Sequence, residues 1–284
     1  MNIAILSGKG GTGKTLVSVN LAAVAKNSMY IDCDVEEPNG HLFFKPINIK
    51  EEKIAVKIPV VDEALCNGCR KCADFCKFNA LAYAKDKLII FDDVCHSCGG
   101  CVLVCPEMAI SEKDKIIGKV EKGVSGDVQV WSGILNIGEA TGIPIIKKLL
   151  DDQKDNKLTF IDCPPGTACI VMESIKDADY CVLVAEPTTF GAHNLNMVYE
   201  LVSLFGKPFG VILNKYTDGY NPSEEFCKEK NIKILAYIPF DKELGSITSN
   251  ANIASLSNDK YKKVFAKILD TIKKEVSSEA VTNS

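Results

Sequence analysis

The sequence predicts an α/β protein in which a mostly parallel sheet is flanked by helices and a small α+β unit is inserted. Three observations carry this prediction. Short apolar runs alternate with helical patterns along most of the 284 residues, as in parallel strands joined by crossover helices. A glycine-rich turn joins the first strand to the first helix. A cysteine-rich stretch interrupts the alternation between residues 59 and 111.

The composition is ordinary for a water-soluble chain except for its cysteines. A net charge of −4 leaves no basic surplus to neutralise a phosphate backbone, so nucleic acid is not an expected partner. No apolar run approaches the roughly 20 residues that a membrane span needs. The 13 cysteines follow no export signal, so we expect a cytoplasmic protein. Clustered cysteines in a reducing compartment are more often metal ligands than disulfide partners.

Residues 7–15 read S-G-K-G-G-T-G-K-T between an apolar strand at 2–6 and a helical pattern. This context is typical of a phosphate-binding P-loop, because glycines let backbone N–H groups converge on an anion at a helix N-terminus. Lys14 would reach the outer phosphates, and the Thr15 hydroxyl would hold Mg²⁺. The cofactor-binding residues predicted in this loop are Gly8, Gly10, Gly11, Thr12, Gly13, Lys14 and Thr15.

Two further predicted strands, at 29–33 and 158–162, end in carboxylates at the edge where open α/β sheets bind ligands. Asp34 follows the first strand. From the sequence around it alone, it is equally well explained as a residue that caps a turn. Asp162 ends the second strand, as a Walker B carboxylate supporting Mg²⁺ does. It precedes Pro-Pro-Gly-Thr, in which the N–H of Gly166 could approach a γ-phosphate.

Residues 116–136 read as extended structure with turns at Gly118, Gly123, Ser125-Gly126 and Gly133, returning the chain to the main sheet. Beyond them we expect helices at 143–150, 194–205 and 224–230 and strands at 180–185, 209–213 and 234–238. A lysine-rich terminal helix carries one apolar face, which includes Phe265 and Ile272. Packing on the sheet explains this face better than a membrane surface, because a polar tail, 277–284, follows it.

Two cysteine runs of the form C-x2-C-x2-C-x3-C repeat at an offset of 29 residues. This is the bacterial ferredoxin pattern for two [4Fe-4S] clusters, in which the fourth cysteine of each run ligates the other cluster. Glycines such as Gly68, Gly99 and Gly100 would allow the tight turns. Zinc is the alternative, although structural zinc sites rarely need two such runs. The predicted ligands are Cys66, Cys69, Cys72 and Cys105 for cluster 1, and Cys95, Cys98, Cys101 and Cys76 for cluster 2.

With Lys9, the loop reads K-G-G-T-G-K-T, which resembles the deviant Walker A motif of the MinD/ParA/Mrp superfamily. The resemblance implies that Lys9 contacts phosphates bound by a partner subunit, so that ATP drives formation of a homodimer or of a heterodimer with a related ATPase. It implies that Asp34 positions the attacking water and that Asn214 and Pro239 lie at the adenine. ATP is favoured over GTP because the N-K-Y-T-D spacing departs from the guanine pattern.

The domains expected are an ATPase domain at 1–58 and 112–276 and an inserted two-cluster ferredoxin domain at 59–111. The resemblance to the nitrogenase iron protein implies ATP-gated electron transfer to a partner protein or metal-cofactor. An Mrp-type cluster carrier is one alternative, although the C-x-x-C pair that such carriers use near the C-terminus is absent. A MinD-like positioning switch with structural clusters is another. Cys163 and Cys169 flank the Pro-Pro-Gly-Thr loop, and Cys169 could help bind a bridging cluster in a dimer.

Overall fold

The computed structural model describes the backbone of residues 1–153 and 157–282. The strands are β1 (Asn2–Leu6), β2 (Met29–Asp32), β3 (Ile47–Val61), β4 (Leu81–Ala84), β5 (Lys87–Ile90), β6 (Ile110–Ser125), β7 (Val128–Leu135), β8 (Thr159–Asp162), β9 (Tyr180–Ala185), β10 (Phe209–Tyr216) and β11 (Ile234–Pro239). The helices are α1 (Lys14–Ala25), α2 (Gly40–Phe44), α3 (Lys71–Phe75), α4 (Gly100–Leu103), α5 (Ile143–Asp151), α6 (Cys169–Ile175), α7 (Thr189–Leu204), α8 (Pro222–Glu229), α9 (Lys242–Ser249), α10 (Ala254–Ser257) and α11 (Asp259–Thr282).

One sheet has the strand order β11-β10-β9-β1-β8-β2-β7-β6-β3. Every neighbouring pair from β11 to β7 is parallel, whereas β7–β6 and β6–β3 are antiparallel. The predicted mostly parallel α/β sheet is therefore confirmed. The carboxyl ends of β1, β2 and β8 meet at one edge, which brings together the loops that follow these strands.

Helices cover both faces of the sheet. Alternate residues of β1 enter opposite cores: Ala4 and Leu6 lie on the face covered by α5, α6, α7 and α8. Ile3 and Ile5 lie on the face covered by α1, α9, α10 and α11. Phe265 and Ile272 of α11 are fully buried there, so the terminal helix packs on the sheet as predicted. The helix continues through much of the predicted polar tail as far as Thr282, and residues 283–284 lie outside the described residues.

Strands β3 and β6 form a long antiparallel ribbon, paired from Ile47↔Val124 to Val61↔Ile110. Strand β7 pairs with the second half of β6, from Gly118 onward, so the first half of β6 and its partner in β3 extend beyond β7. The turns predicted at Gly118, Gly123 and Gly133 are wrong, because all three glycines lie within strands. A Cβ on Gly118 would lie 2.1 Å from the carbonyl oxygen of Ile134, so close strand packing explains this glycine.

The ribbon holds residues 62–109, here called the cysteine module, at its end. The 29-residue repeat is visible in the backbone, where positive φ values recur at matching positions: Gly68 and Ser97, Arg70 and Gly99, Asn79 and Met108. Helices α3 and α4 begin at matching positions, Lys71 and Gly100. The two halves pack around a small shared core of their own. Among the described residues, no helix has the length and hydropathy needed to cross a membrane.

Candidate functional site

A cleft of about 1310 Å³ opens at the carboxyl ends of β1, β2 and β8. Residues 7–15, except Gly8 and Thr12, form its floor, Asp34 and Val35 one wall, and Pro164 and Pro165 another. The predicted site residues that line it are Lys9, Gly10, Gly11, Gly13, Lys14, Thr15 and Asp34. The loop between β1 and α1 therefore presents its phosphate-binding elements to one open space.

Different steric reasons require glycine at different positions of the loop. Gly11 and Gly13 adopt φ of +79° and +97°, which favour glycine. A Cβ on Gly13 would lie 2.1 Å from Nδ2 of Asn214, and one on Gly8 would lie 2.3 Å from the carbonyl oxygen of Asn194. Substitution of Gly8 or Gly13 would therefore force the loop away from the strands and helices that support it.

Lys14 is buried among carboxylates. Its Nζ lies 2.6 Å from Oδ1 of Asp162 and 3.8 Å from Oδ2 of Asp34. Burial alone would lower the pKa of Lys14, but Asp162, Asp32 and Asp34 outweigh it and raise the pKa above its usual value. Lys14 therefore stays charged, as a group that binds phosphates must.

The carboxylates near Lys14 differ in their surroundings. Asp32 and Asp162 are register partners on parallel strands, and burial together with Asp162 raises the pKa of Asp32 to about 7. Its side chain accepts hydrogen bonds from the backbone N–H groups of Asp34, Asn39 and Gly40, so it fixes the loop after β2. Burial also raises the pKa of Asp34 to about 6, although Lys14 opposes this. Asp34 lines the cleft, as do Glu36 and Glu37 of the same loop.

Lys9 is held within its own chain. Its Nζ lies 2.8 Å from Oε2 of Glu186 and 5.0 Å from the centre of the Phe190 ring. Lys215 contacts the other oxygen of Glu186 over 2.6 Å and donates a hydrogen bond to the carbonyl oxygen of Gly11. The two lysines outweigh the effect of burial and lower the pKa of Glu186. Glu186 and Lys215 therefore hold the P-loop, through Lys9 and Gly11, against the segments that follow β9 and end β10.

Three predicted binding residues beyond the P-loop lie outside the cleft lining. Asn214 is buried, and its Nδ2 donates to the carbonyl oxygen of Thr12 over 2.7 Å, so it supports the P-loop. Gly166 has φ of +92°, and its N–H donates to the carbonyl oxygen of Ser7. The N–H predicted to approach a γ-phosphate is therefore engaged with the P-loop backbone. Pro239 lies at the exposed end of β11, beside Tyr216.

The cysteine module contains two pockets of similar volume, about 350 and 380 Å³. Cys66, Cys69, Cys72 and Cys105 line the first pocket. Cys76, Cys95, Cys98 and Cys101 line the second. The structure thus groups the cysteines in the two crossed sets that the sequence predicts. All eight are free thiols.

The surroundings of these thiols suit iron–sulfur clusters. Backbone N–H groups of Ala80 and Ala109 donate to Sγ of Cys76 and Cys105, at matching positions of the repeat. Such bonds stabilise thiolates and tune cluster potentials. Within the described ranges, no three His, Cys, Asp or Glu side chains converge on a point that could hold one metal ion. A cubane does not require this convergence, because each of its four irons takes one thiolate.

The glycines of the module play two different parts. Gly68 and Gly99 have φ of +70° and +69°, in agreement with the predicted tight turns. Gly100 follows Gly99 in the turn closed by the bond from the N–H of Val102 to the carbonyl oxygen of Gly99, but it has no positive φ. A Cβ on Gly100 would lie 2.1 Å from Cε1 of Phe75, which shows that this glycine admits an aromatic ring from the first repeat.

The other cysteines are dispersed. Cys33, Cys163, Cys181 and Cys227 are buried, and burial raises the pKa of each thiol. Cys169 is exposed at the start of α6. Cys163 is therefore a core residue, whereas Cys169 remains accessible.

Sequence reasoning missed Glu186 and Tyr30 as parts of the site. Glu186 directly follows the fully buried strand β9, and a charged residue in that position was a usable signal, as it was for Asp162. Tyr30 lies within an apolar strand, and its hydroxyl donates to Oδ2 of Asp162 over 2.9 Å. Only the register between β2 and β8 shows that Tyr30 contacts Asp162.

A parallel sheet whose first strand leads through a glycine-rich loop to a lysine-bearing helix defines a P-loop nucleotide-binding protein. Residues 3–253 match the CobQ/CobB/MinD/ParA nucleotide binding domain, and the chain belongs to this family.

Two relatives span nearly the whole chain. An uncharacterized protein of Methanocaldococcus jannaschii is 31% identical over 283 residues, which cover 96% of each chain. An iron-sulfur cluster carrier protein of Methanococcus maripaludis is 25% identical over 96% of this chain and 86% of its own length.

Two solved MinD structures share the fold. The cell division ATPase MinD of Pyrococcus furiosus has a TM-score of 0.60 and 21% identity, covering 96% of this chain and 98% of its own. The septum site-determining protein MinD of Pyrococcus horikoshii, complexed with Mg-ADP, has a TM-score of 0.59 and 19% identity, covering 95% of each chain.

Proposed function

We propose that this protein is a Mg²⁺-dependent ATPase that uses nucleotide-driven dimerisation to control a module holding two [4Fe-4S] clusters. The observation that carries the proposal is the placement of two four-cysteine pockets on a ribbon continuous with the P-loop sheet. Family membership supports the nucleotide part of the proposal. The sheet and ribbon give a direct structural route between the two parts.

The residues of the cleft divide the work of ATP hydrolysis. Lys14 would turn from Asp162 toward the phosphates and offset their charge. Thr15 and Asp162 would support Mg²⁺, which supplies further positive charge. Asp34 faces the cleft and would orient the attacking water as an ionised carboxylate. Asn214 keeps the P-loop in place.

Lys9 would supply the dimer contact. In the single chain it is paired with Glu186, and its side chain is 29% exposed. A partly exposed ion pair contributes little free energy. Lys9 could therefore leave Glu186 and pair with phosphates bound by a second subunit at a modest free-energy cost. We therefore propose that ATP, and not ADP, assembles the dimer, with either a second copy or a related ATPase.

The eight cysteines would hold the clusters in their crossed sets. Cys72 and Cys101 are buried, whereas Cys69 and Cys98 are exposed. Each cluster would thus be anchored on its inner side and reachable on its outer side. This arrangement suits electron transfer to a partner, which requires close approach without loss of the metal.

A cluster carrier is the second candidate. It is favoured by the relatives named iron-sulfur cluster carrier proteins, which match most of this chain. Against it, each proposed cluster would be held by the four thiols that line one formed pocket, a poor arrangement for a cargo that must leave.

An anaerobic experiment separates the two candidates. The reduction potentials of the clusters and the rate of iron transfer to an apo-ferredoxin are measured with and without Mg-ATP. Electron transfer predicts a nucleotide-dependent potential with iron retained, whereas a carrier predicts ATP-dependent release of iron. If neither quantity responds to ATP, the proposed coupling is wrong.

A further inference from the structure

The loops that carry the first two cysteines of each run, residues 62–69 and 91–98, are repeats of each other but have different surroundings. In the first, Glu63 pairs with Lys87, which belongs to the cysteine module itself. In the second, the matching position is Asp92, and the chain around it is bound by Lys115 of β6. Lys115 therefore attaches the second loop to the ribbon, whereas Glu63 attaches the first loop to another part of the cysteine module.

Lys115 bridges two segments. Its Nζ lies 3.1 Å from Oδ1 of Asp93 and donates to the carbonyl oxygen of Asp92 over 3.3 Å. On the other side it lies 3.0 Å from Oε2 of Glu139, in the loop at residues 136–142 between β7 and α5. Lys115 and Glu139 are mostly shielded, at 19% and 12% exposure. Cys95 thus lies two residues from an ion pair that leads to the sheet.

The loop at 136–142 continues to the nucleotide cleft. The N–H of Leu135, just before it, donates to the carbonyl oxygen of Val35 over 2.8 Å. A Cβ on Gly142 would lie 2.3 Å from a methyl carbon of Val35, and one on Gly133 would lie 2.6 Å from the other. Val35 is buried, lines the cleft and follows Asp34. Because Val35 packs so closely against Gly133 and Gly142, a displacement of Val35 would also displace the loop at 136–142.

We propose that Lys115 is a positioning residue for cluster 2, and that it carries the nucleotide-dependent position of Asp34 and Val35 to the loop before Cys95. This inference rests on the proposed function, since it assumes that nucleotide binds at the cleft. It predicts that the two clusters are unequal: the second senses the nucleotide, and the first does not. The contacts run without a break from Val35 through the loop at 136–142 and Lys115 to the segment before Cys95.

The test is hydrogen exchange on the anaerobically purified, cluster-loaded protein, with and without a non-hydrolysable ATP analogue and Mg²⁺. The peptides compared are residues 91–98 and their repeat counterparts, 62–69. We expect the analogue to change exchange in 91–98 and to leave 62–69 unchanged. Binding of the analogue is measured separately by calorimetry.

Three variants isolate the link. Lys115→Met removes the charge and keeps most of the stem, and Glu139→Gln removes the negative charge that pairs with Lys115 while leaving Lys115 beside Asp93. Lys119→Met is the matched control, because Lys119 lies on the same strand and pairs with Glu51 and Glu121. The first two variants should lose the response of 91–98 with iron content and analogue affinity unchanged. Lys119→Met should keep it.

Retention of the response in both Lys115→Met and Glu139→Gln overturns the inference, as does an equal response in the two loops of the wild type. If Lys115→Met loses iron and Glu139→Gln does not, the hydrogen-exchange response of residues 91–98 in Glu139→Gln tests the inference, because its cysteine module is intact. Failure of the wild type to bind the analogue in calorimetry would instead contradict the proposed function itself.

Discussion

The Tyr30 hydroxyl donates a hydrogen bond to Oδ2 of Asp162 over 2.9 Å, while Nζ of Lys14 lies 2.6 Å from Oδ1. Both oxygens of this buried carboxylate are therefore held, one by β2 and the other by the P-loop. If Lys14 turns toward a phosphate as proposed, the bond from Tyr30 would remain. Tyr30 would then hold the orientation of Asp162, the carboxylate proposed to support Mg²⁺.

Tyr30→Phe should lower kcat for ATP hydrolysis about tenfold and raise the Mg²⁺ concentration needed for half-maximal rate. The reason is that a hydrogen bond to a charged group contributes about 1.5 kcal/mol or more, which is a factor of roughly ten. Tyr261→Phe is the control, because its hydroxyl also contacts a carboxylate, Asp241, away from the cleft. A wild-type rate and Mg²⁺ dependence in Tyr30→Phe would show that Asp162 does not need this bond.

Lys14→Met should abolish ATP binding and lower the free energy of unfolding by about 3–5 kcal/mol, since Asp162 loses its buried counter-charge. Asp162→Asn should also destabilise the protein, because it leaves Lys14 without its nearest partner. The double variant should recover much of the stability lost by either single variant, without recovering activity. Urea unfolding of the nucleotide-free proteins measures this cycle, and simple additivity of the two losses would contradict the pairing.

The rate of ATP hydrolysis should fall as the pH is lowered through about 6. Burial raises the pKa of Asp34 to about 6, so the carboxylate is ionised above that pH and protonated below it. Protonation removes the acceptor that orients water. Asp34→Asn should be slow at all pH values and should lack this inflection. An unchanged pH profile in a variant that still hydrolyses ATP would assign the inflection to another group.

Substitution of one cysteine should remove one cluster. Cys69→Ser should remove about half of the iron, and Cys76→Ser and Cys98→Ser should each remove the other half. Electron paramagnetic resonance should show that Cys76→Ser and Cys98→Ser lose the same signal, although these residues come from different runs. Cys169→Ser is the control and should keep both signals. Loss of the same signal in Cys69→Ser and Cys76→Ser would contradict the crossed ligation.

Lys9→Ala should keep nucleotide binding by the monomer but lose dimer formation with a non-hydrolysable ATP analogue. The physical reason is that Lys9 stands at the mouth of the cleft, paired with Glu186, while Lys14 holds the buried position. Size-exclusion chromatography with ATP analogue and with ADP measures the effect. An analogue-independent elution volume for the wild type would contradict the proposed homodimer.

Much of the nucleotide site could be predicted because its signals are local. A glycine-rich turn between a strand and a helix fixes the positions of Lys14 and Thr15 through the chain geometry itself. The crossed cysteine sets follow likewise from the match of each run to the bacterial ferredoxin pattern. By contrast, the pairing of Tyr30 with Asp162 depends on which strands are neighbours, and local periodicity carries no such information.

The ribbon was misjudged for a related reason. Gly118, Gly123 and Gly133 indicate turns when each is considered alone, since glycine is common in turns. In the structure they are strand residues, and Gly118 and Gly133 admit a carbonyl group or a neighbouring side chain at close range. A close approach between segments that are distant in sequence gives the same residue type as a turn, so the sequence alone could not distinguish the two.

Val61 pairs directly with Ile110, so the two ends of the cysteine module lie side by side at the end of the ribbon. Two antiparallel neighbours can be closed by a short turn, and the strand register behind them does not depend on what the turn contains. Residues 62–109 could therefore be replaced by a tight hairpin loop while the sheet and its P-loop are kept. Such a structure explains in physical terms how a nucleotide-binding fold can acquire a cysteine-rich unit of 48 residues without rebuilding its core.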